Sequence, residues 1–452
     1  MSLNQLMEIG RRSLFANQRA INITSKNIAN AGTEGYTRQR VNMTNLAIGV
    51  PGIGQIGVGV EADTVSRIQQ RLVENQLWQE RQRQGYYDTD SRLLTQVETV
   101  FASDTDASIG NLMGEFWEAW NNLASDPESA SARTVVRDKG VLLSNAFNRT
   151  HDTLIDTQRE VDRDIRADVN RVNQITAQLA NLNEKYTNTG NLDLLDERDR
   201  LIGELSELIK IDVRENEAGE TIISTDGLLL VSGREVEQLA VETVKENGVY
   251  QTTVSLRNVG PQPAFSGGTL GSKLKHQNET IPATINHLDS LANALVERVN
   301  NIHRSGQNLE GITGQNFFSA NTTGAANIRL DNGVLNAPSL IASRAAGAEV
   351  GDNSVAMSIF DIQDELLVDG DTLGTSFTGL LTEIGSQLNE ANYLNDSQAL
   401  IVQQLENQRD SISGVSLEEE MTQLIQFEQA YQAASRVINT VDEMMQVVLG
   451  LV

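Results

Sequence analysis

Apolar residues recur at intervals of seven positions near both ends of the chain. At the N-terminal end the series is Met7, Leu14, Ile21 and Ile28. At the C-terminal end two interleaved series are Leu417, Leu424, Tyr431, Ile438, Met445 and Val452, and Phe427, Ala434, Val441 and Val448. This spacing predicts two amphipathic helices, each with an apolar seam of the coiled-coil kind. Gly32 ends the first pattern and Gly414 precedes the second, as glycine commonly does at helix ends.

A third heptad pattern lies in the interior, where neither Pro nor Gly occurs between Val141 and Gly190. Its apolar positions are Val161, Ile165, Val172, Ile175, Leu179 and Leu182. An uninterrupted helix here would contain ~45 residues and extend roughly 70 Å, which predicts an elongated molecule. Further helices are expected at residues 192–209, 268–304 and 380–412.

Residues 211–265 have a different pattern, with short apolar runs separated by Gly219, Asp226-Gly227 and Asn247-Gly248. Such Asp-Gly and Asn-Gly pairs are typical of β-hairpins, so a small β domain inserted between helices is predicted. The Gly-rich segment 50–60 is expected to be an extended connector, and residues 313–348 show little periodicity.

The predicted fold is therefore mainly α with an inserted β domain, in an elongated multi-domain chain. Residues 1–40 with 414–452 are expected to form a terminal coiled-coil assembly domain. Residues 41–210 with 268–413 are expected to form a long helical domain, and residues 211–267 the small β domain.

Composition excludes several classes of function. The 452 residues carry 35 Lys and Arg against 61 Asp and Glu, a net charge of −26. Nucleic-acid binding requires clustered cations, so no nucleic-acid partner is expected. The chain has no Cys, which excludes thiol catalysis and Cys-based metal sites. No stretch reaches the ~18–20 apolar residues of a membrane span, and no cleaved signal peptide is expected because Arg11 and Arg12 interrupt the N-terminal segment.

The two ends differ in charge. Residues 1–40 carry six Lys and Arg against two Glu, whereas residues 409–452 carry two Arg against seven Asp and Glu. Amphipathic helices of opposite charge are suited to pair with each other or with like neighbours. The alternative is that both are ordinary core helices of one globule.

Motifs that suggest enzyme or metal chemistry have incomplete context. Gly52-Ile53-Gly54-Gln55-Ile56-Gly57 matches a dinucleotide fingerprint, but the sequence after Gly57 does not predict the required helix. Asp104, Asp106, Ser108 and Glu115 are spaced like ligands of a calcium loop, yet Ile109 occupies the glycine position. We therefore expect no catalytic residue, cofactor or metal.

Two further groups of polar residues, the histidines and an acidic cluster, are interpreted as structural and not as catalytic or metal-binding. The four histidines, at positions 151, 276, 287 and 303, occur without a catalytic motif. They are interpreted as surface or packing residues. The cluster Asp193, Asp196, Glu197 and Asp199 could hold a carboxylate pair for glycoside hydrolysis. It is interpreted instead as a solvated helix face neutralised by Arg198 and Arg200.

Residues 27–39 resemble the N-terminal signature of bacterial flagellar rod, hook and hook-associated proteins. The matching positions are Asn27, Asn30, Gly35, Tyr36, Arg38 and Gln39. Residues 413–421, 429–433 and 441–444 resemble the C-terminal signature of the hook-associated protein family of the hook–filament junction. Interior segments narrow the resemblance to that family, namely residues 191–199, Gly267-Gly268, Val299-Asn300, Phe317-Phe318 and residues 351–353.

The resemblance implies a structural adaptor, not an enzyme, that joins the flagellar hook to the filament. Members of the family are exported unfolded by the flagellar type III apparatus, so an extracellular place at the junction is expected after a transient cytoplasmic stage. The implied partners are like subunits in a ring, the hook protein, a second junction protein on the filament side and an export chaperone at the C-terminal helix.

Three further expectations follow from the resemblance. The terminal seams, which include Phe427 and Val441, should form the assembly interface. An outer domain that longer members carry after Phe317-Phe318 should be absent. A hook or rod protein remains the alternative within the class, and the long helix and residues 193–199 argue against it.

Overall fold

The computed structural model of the chain describes residues 3–33, 35–50, 54–102, 107–246, 248–257 and 265–450. Helices predominate within these ranges. They are α1 (Leu3–Ala29), α2 (Arg71–Ala102), α3 (Ile109–Ser125), α4 (Ala130–Thr189), α5 (Asp193–Leu208), α6 (Gly268–Lys275), α7 (Ile281–Ser305), α8 (Asn332–Asn336), α9 (Ser354–Phe360), α10 (Leu373–Ser413) and α11 (Leu417–Gly450).

The strands form small antiparallel sheets. They are β1 (Gln39–Val50), β2 (Gly54–Arg67), β3 (Asp212–Glu215), β4 (Thr221–Thr225), β5 (Leu228–Ser232), β6 (Glu235–Val236), β7 (Leu239–Glu246), β8 (Val249–Leu256), β9 (Gly306–Gln307) and β10 (Arg344–Ala345). Within each sheet the strands pair in the orders β1-β2, β3-β4-β5-β6, β7-β8 and β10-β9. The predicted class, mainly α with an inserted β region, is confirmed.

The long interior helix is confirmed and begins earlier than its heptad pattern predicts. α4 contains 60 residues, which corresponds to about 90 Å. Ser129 caps its first turn by accepting a hydrogen bond from the Ala132 amide at 3.2 Å. Gly190 ends it in a left-handed conformation with φ 65°.

An aromatic cluster forms the centre of the helical domain. Phe317 and Phe318 are fully buried, and their rings lie 4.9 Å apart with Trp120 5.4 Å from Phe317. Gly140 lets the Phe317 ring pack against the backbone of α4, since a Cβ at that position would lie 3.0 Å from the ring. The segment 313–348 therefore contributes core side chains although it contains little regular structure.

Side-chain amides on α4 hold the β region. Asn173 exchanges two hydrogen bonds with the backbone of Leu239, at 2.8 and 3.0 Å. Asn183 does the same with Thr221, at 2.9 and 3.0 Å, and Gln158 with Tyr250, at 2.8 and 2.9 Å. These contacts pair backbone groups of the strands that would otherwise be unsatisfied beside the helix.

A long hairpin, β1-β2, replaces the predicted connector at residues 50–60. Residues 54–60 lie in β2, and residues 51–53 lie outside the described ranges. The hairpin lies along α1, where the Arg19 guanidinium donates to the Ala62 carbonyl at 2.9 Å. At Gly59, φ is +118°, a backbone conformation that L side chains rarely adopt, so glycine permits the strand to take this conformation beside Ile9 of α1.

His303 sits beside the aromatic cluster of Trp120 and Phe317 and is fully buried. Its Nδ1 donates to the Gln315 carbonyl at 2.7 Å, and its Nε2 accepts from the Ala342 amide at 2.9 Å. Burial lowers its pKa to about 4, so the ring is neutral near pH 7. His303 therefore has a packing role, as the sequence predicts.

The first prediction concerns acid stability. The unfolded chain binds the His303 proton near pH 6.5 and the folded chain only near pH 4. The contribution of His303 to the free energy of unfolding is therefore complete above pH 6.5 and is lost as the pH falls towards 4. Urea unfolding at pH 7.5 and 4.5 should show a smaller pH-dependent loss for His303→Gln than for the unmodified chain. Equal losses would contradict the assignment.

Candidate assembly site at the paired chain ends

α1 and α11 pack against each other over most of their length. The pair is antiparallel, because Gly10 faces Ile438 whereas Asn27 contacts Glu420. A Cβ at Gly10 would lie 2.7 Å from Ile438 Cγ1, so glycine sets the close approach of the two helices. The two chain ends thus form one antiparallel helical pair.

The predicted seams lie partly in this pair. Met7, Leu14, Ile21 and Ile28 are half-buried, while the most buried positions of α1 are small or polar. Those positions are Gly10, Ala16, Asn17, Ala20, Thr24 and Asn27. In α11, Val441 is buried and Leu424, Phe427, Ile438 and Met445 are half-buried, whereas Leu417 and Tyr431 are exposed.

Asn27 lies near the C-terminal end of α1 and uses all of its hydrogen-bonding groups. Its Oδ1 accepts from the Gln39 amide at 3.0 Å and from the Tyr36 hydroxyl at 2.9 Å. Its Nδ2 donates to the Gln39 carbonyl at 2.8 Å and to Glu420 Oε2 at 2.9 Å. One buried amide therefore links α1, the start of β1 and the first turn of α11.

Glu420 is a buried carboxylate, with 1% of its surface exposed. The Arg38 Nε donates to its Oε1 at 2.6 Å, and Arg38 Nη1 contacts exposed Glu419 at 2.9 Å. The Arg38 amide also donates to the Ser413 carbonyl at 3.0 Å, just before α11. The charge of Glu420 is thus compensated by the Arg38 guanidinium, and its second oxygen accepts a hydrogen bond from the Asn27 amide.

Tyr36 completes this network from the loop after α1. Burial and the negative charges of Asp193, Asp196 and Glu420 raise its pKa. The phenol therefore stays protonated and remains a donor to Asn27.

A second set of polar contacts joins the helical pair to the helical domain. The Lys26 ammonium lies 2.5 Å from Asp193 Oδ1, to which Gln39 also donates at 2.9 Å. Burial raises the pKa of Asp193, but the bonds from Lys26 and Gln39 outweigh it and lower the pKa. We call this set, together with the Arg67 contacts described next, the acidic joint.

Arg67, at the end of β2, is the second cation of the acidic joint. Its Nη2 lies 2.8 Å from Asp196 and 2.7 Å from Asp199, and it donates to Thr37 Oγ1 at 3.0 Å. Burial is the largest effect on Asp196 and raises its pKa, although Arg67 opposes it. Three of the four carboxylates in residues 193–199 therefore contact residues of α1 or of the hairpin β1-β2.

The prediction of a solvated acidic face is consequently wrong for Asp196 and Asp199, whose side chains are 13% and 12% exposed. Arg198, proposed to neutralise it, is itself buried and donates to the Gly219 carbonyl at 2.9 Å. Asp193 and Glu197 are exposed, as expected of the whole cluster, and Glu197 pairs with Arg200 at 2.7 Å. The physical reason is that the end of β2 places Arg67 against Asp196 and Asp199 of α5, which the helical period alone does not reveal.

Helix α11 carries many apolar side chains that are exposed to solvent. Nine of them are between 37% and 75% exposed, namely Leu417, Met421, Ile425, Tyr431, Val437, Met444, Val447, Val448 and Leu449. A concentration of exposed apolar groups on one helix is typical of a surface that binds a protein partner. We call these nine residues the exposed apolar residues of α11.

The motifs for other chemistry find no support in the described residues. Gly54 to Gly57 lie in β2 and are not followed by a helix, while Gly52 and Ile53 lie outside the described ranges. Asp104 and Asp106 also lie outside them, and Ser108 caps α3 by accepting from Asn111 at 3.3 Å. In the part of the chain that is described, no three His, Asp or Glu residues are grouped to bind a metal.

The other histidines have polar partners on the protein. His276 Nε2 lies 2.8 Å from Asp90, His287 Nε2 lies 3.0 Å from Ser376, and His151 Nδ1 lies 3.4 Å from Asp152.

Across the described ranges, no helix is long and apolar enough to cross a lipid bilayer.

Sequence reasoning misses the hairpin and the acidic joint. The β-branched residues Val41, Thr64 and Val65 on either side of Pro51-Gly52 are the signal for the hairpin. No comparable local signal indicates that Arg67 contacts Asp199.

Three family models match the chain. Residues 7–37 match a model described as flagella basal body rod protein, and residues 406–451 match flagellar basal body rod FlgEFG protein C-terminal. Residues 94–318 match flagellar hook-associated protein FlgK helical domain. The two rod-type matches coincide with the paired chain ends.

Relatives match over nearly the whole chain. Flagellar hook-associated protein 1 of Bacillus subtilis (strain 168) is 28% identical, over 98% of this chain and 97% of the relative. The protein of that name from Salmonella typhimurium is 23% identical, over 99% of this chain and all of the relative. A solved structure, of the flagellar hook junction protein FlgK from Burkholderia pseudomallei, has the same fold, with a TM-score of 0.68 at 14% identity over 75% of this chain and 100% of that chain.

The paired ends and the elongated helical domain between them define a flagellar protein of the rod and hook class. Within that class, the chain belongs to the family of flagellar hook-associated protein 1. The Salmonella alignment covers 554 positions, more than the 452 residues here, so the relative carries segments that this chain lacks. That these form an outer domain after Phe317-Phe318 stays a prediction.

The second prediction concerns Glu420. Glu420→Ala removes the acceptor of Asn27 and one partner of Arg38, at a cost of about 2–3 kcal/mol for unsatisfied buried groups. Amides of α11 should then exchange with solvent about 30–100-fold faster, while those of α4 are unchanged. Hydrogen exchange measured by mass spectrometry tests this.

Glu419→Ala is the matched control, because Glu419 binds the same arginine but its side chain is 62% exposed. It should cost less than about 1 kcal/mol. Equal exchange rates in the two variants would contradict the role assigned to Glu420.

Proposed function

We infer that this chain is the structural adaptor that joins the flagellar hook to the filament, and that it is not an enzyme. The observation that carries this conclusion is the match of residues 94–318 to the hook-associated helical domain, framed by rod-type ends. A hook or rod protein is the alternative, and it is disfavoured because relatives named hook-associated protein 1 align with nearly the whole chain.

The geometry supports an adaptor role. Like subunits would form a ring through their terminal helices, in contact with the hook protein on one side and a second junction protein on the other. The exposed apolar residues of α11 supply unpartnered surface that such contacts require. The acidic joint fixes α5 of the helical domain to this assembly layer, so that movement of one is transmitted to the other.

The adaptor would be exported by the flagellar type III apparatus and would function outside the cell. Before export, α11 would be bound by a dedicated chaperone that covers its apolar residues. Helix-in-groove recognition of this kind uses apolar positions spaced by three, four and seven residues, as in α11.

The third prediction tests the function directly. Cells of the source bacterium that lack the gene should carry hooks without filaments and release filament protein into the medium. Electron microscopy of the deletion strain, and of the same strain with the gene restored, measures this. Normal filaments in the deletion strain would contradict the proposed function, and loss of hooks as well would favour the hook or rod alternative.

The fourth prediction tests the chaperone. Phe427→Asp with Tyr431→Asp places two charges on α11 and should abolish co-purification of the flagellar export chaperone. Leu400→Asp with Ile401→Asp is the control, because both residues are exposed apolar residues on α10. Circular dichroism should show that the helical domain of both variants stays folded. Undiminished co-purification of the α11 variant would contradict the proposed binding site.

A further inference from the structure

An open groove of about 550 Å³ lies between α1 and β2. Its lining includes Arg11, Phe15 and Arg19 from α1 and residues 60–62 from β2. Phe15 is 63% exposed, which is unusual for a phenylalanine on a helix whose other sides are packed. The groove therefore offers an aromatic surface beside Arg11, Arg12 and Arg19, and the carboxylates of Glu8 and Glu61 also line it.

Arg19 is the cation of this groove that is not engaged by a neighbouring carboxylate in the described residues. Arg11 and Arg12 both pair with Glu8, each at 3.0 Å, so one carboxylate offsets one of their two positive charges. Arg19 donates to the Ala62 carbonyl, but among the described residues it has no carboxylate partner within ion-pair distance. A guanidinium carries five N–H donors, so most of those of Arg19 remain available to an anion.

The start of α11 has complementary properties. Leu417, Met421 and Ile425 are exposed at four-residue intervals and so form one stripe on the helix. Glu418 and Glu428 flank this stripe, and in the described part of the chain neither forms an ion pair. The stripe thus combines apolar side chains with two uncompensated negative charges.

The groove and the stripe of one chain do not meet. In the antiparallel pair, Asn27 is level with Glu420, so Met421 lies near the end of α1. Phe15 is about 11 residues earlier along α1, a separation of roughly 17 Å. A contact between groove and stripe must therefore involve two molecules.

We propose that the groove between α1 and β2 binds the Leu417-Met421-Ile425 stripe of a second copy of this chain. The contact joins two different surfaces, so each copy can bind one neighbour on each side, as a ring or helical layer requires. Apolar contact with Phe15 supplies affinity, and Arg19 meets Glu428 or Glu418. This inference rests on the proposed function, because it needs copies to be neighbours in the flagellum.

Cross-linking tests the contact, and the absence of Cys from the chain removes any background. Gln18→Cys places a thiol at the groove, and Thr422→Cys places one beside the stripe. The two single variants, carrying different tags, are expressed together, and the isolated flagella are oxidised. A disulfide-linked dimer with both tags is expected. Gln403→Cys on exposed α10, paired with Thr422→Cys, is the control and should give no such dimer.

Charge reversal then tests the role of Arg19. Arg19→Glu should lower the dimer yield about fivefold, and adding Glu428→Arg to the partner should restore it. Arg40→Glu, at an exposed position of β1, should change nothing. A structural defect from Arg19→Glu would not be rescued by a change on the other molecule.

The outcomes separate this inference from the proposed function. If the variants are absent from flagella that nevertheless carry filaments, the proposed function fails. If both are incorporated but Thr422→Cys does not link to Gln18→Cys, or links to a different protein, the second-copy contact is overturned. Linkage between two Gln18→Cys chains alone would indicate a symmetric contact and would also overturn it.

Discussion

The pairing of the two ends of the chain is the interaction on which the rest of the structure depends. Asn27 and Glu420 are separated by 393 positions, yet their side chains meet at 2.9 Å. Isolated amphipathic helices gain most of their stability from packing, so α1 and α11 need each other. Their pairing closes the chain into one loop and brings the two rod-type sequence segments into one helical pair, which is the assembly layer of the proposed function.

The acidic joint determines how this layer is attached to the helical domain. Arg67 and Lys26 contact carboxylates on α5 at 2.5–2.8 Å. Arg67, Asp196 and Asp199 are largely buried, and because burying charges is costly, such an ion pair adds little net stability. We interpret the joint as a device that fixes the angle between the assembly layer and the helical domain. A fixed angle suits a protein that must connect two different structures.

The features that sequence reasoning predicts are those with a local signal. The heptad pattern and the absence of Pro and Gly before Gly190 predict α4, and Asp226-Gly227 predicts a turn of the β region. The hairpin and the acidic joint depend on contacts between distant residues. Asp199 and Arg67 are 132 positions apart, and an acidic helix face has the same period whether solvent or an arginine covers it. The most buried face of α1 is missed because Gly10 and Thr24 carry no apolar signal.

The central claim is that one chain closes on itself and assembles at the junction through its paired ends. Cryo-electron microscopy of the hook–filament junction from the source bacterium tests it most directly. The account predicts a ring of this chain at the junction, with α1 and α11 innermost and Asn27 bonded to Glu420 of the same subunit. A ring in which α11 leaves its own α1 and pairs with that of a neighbour, or a junction without this chain, would contradict the account.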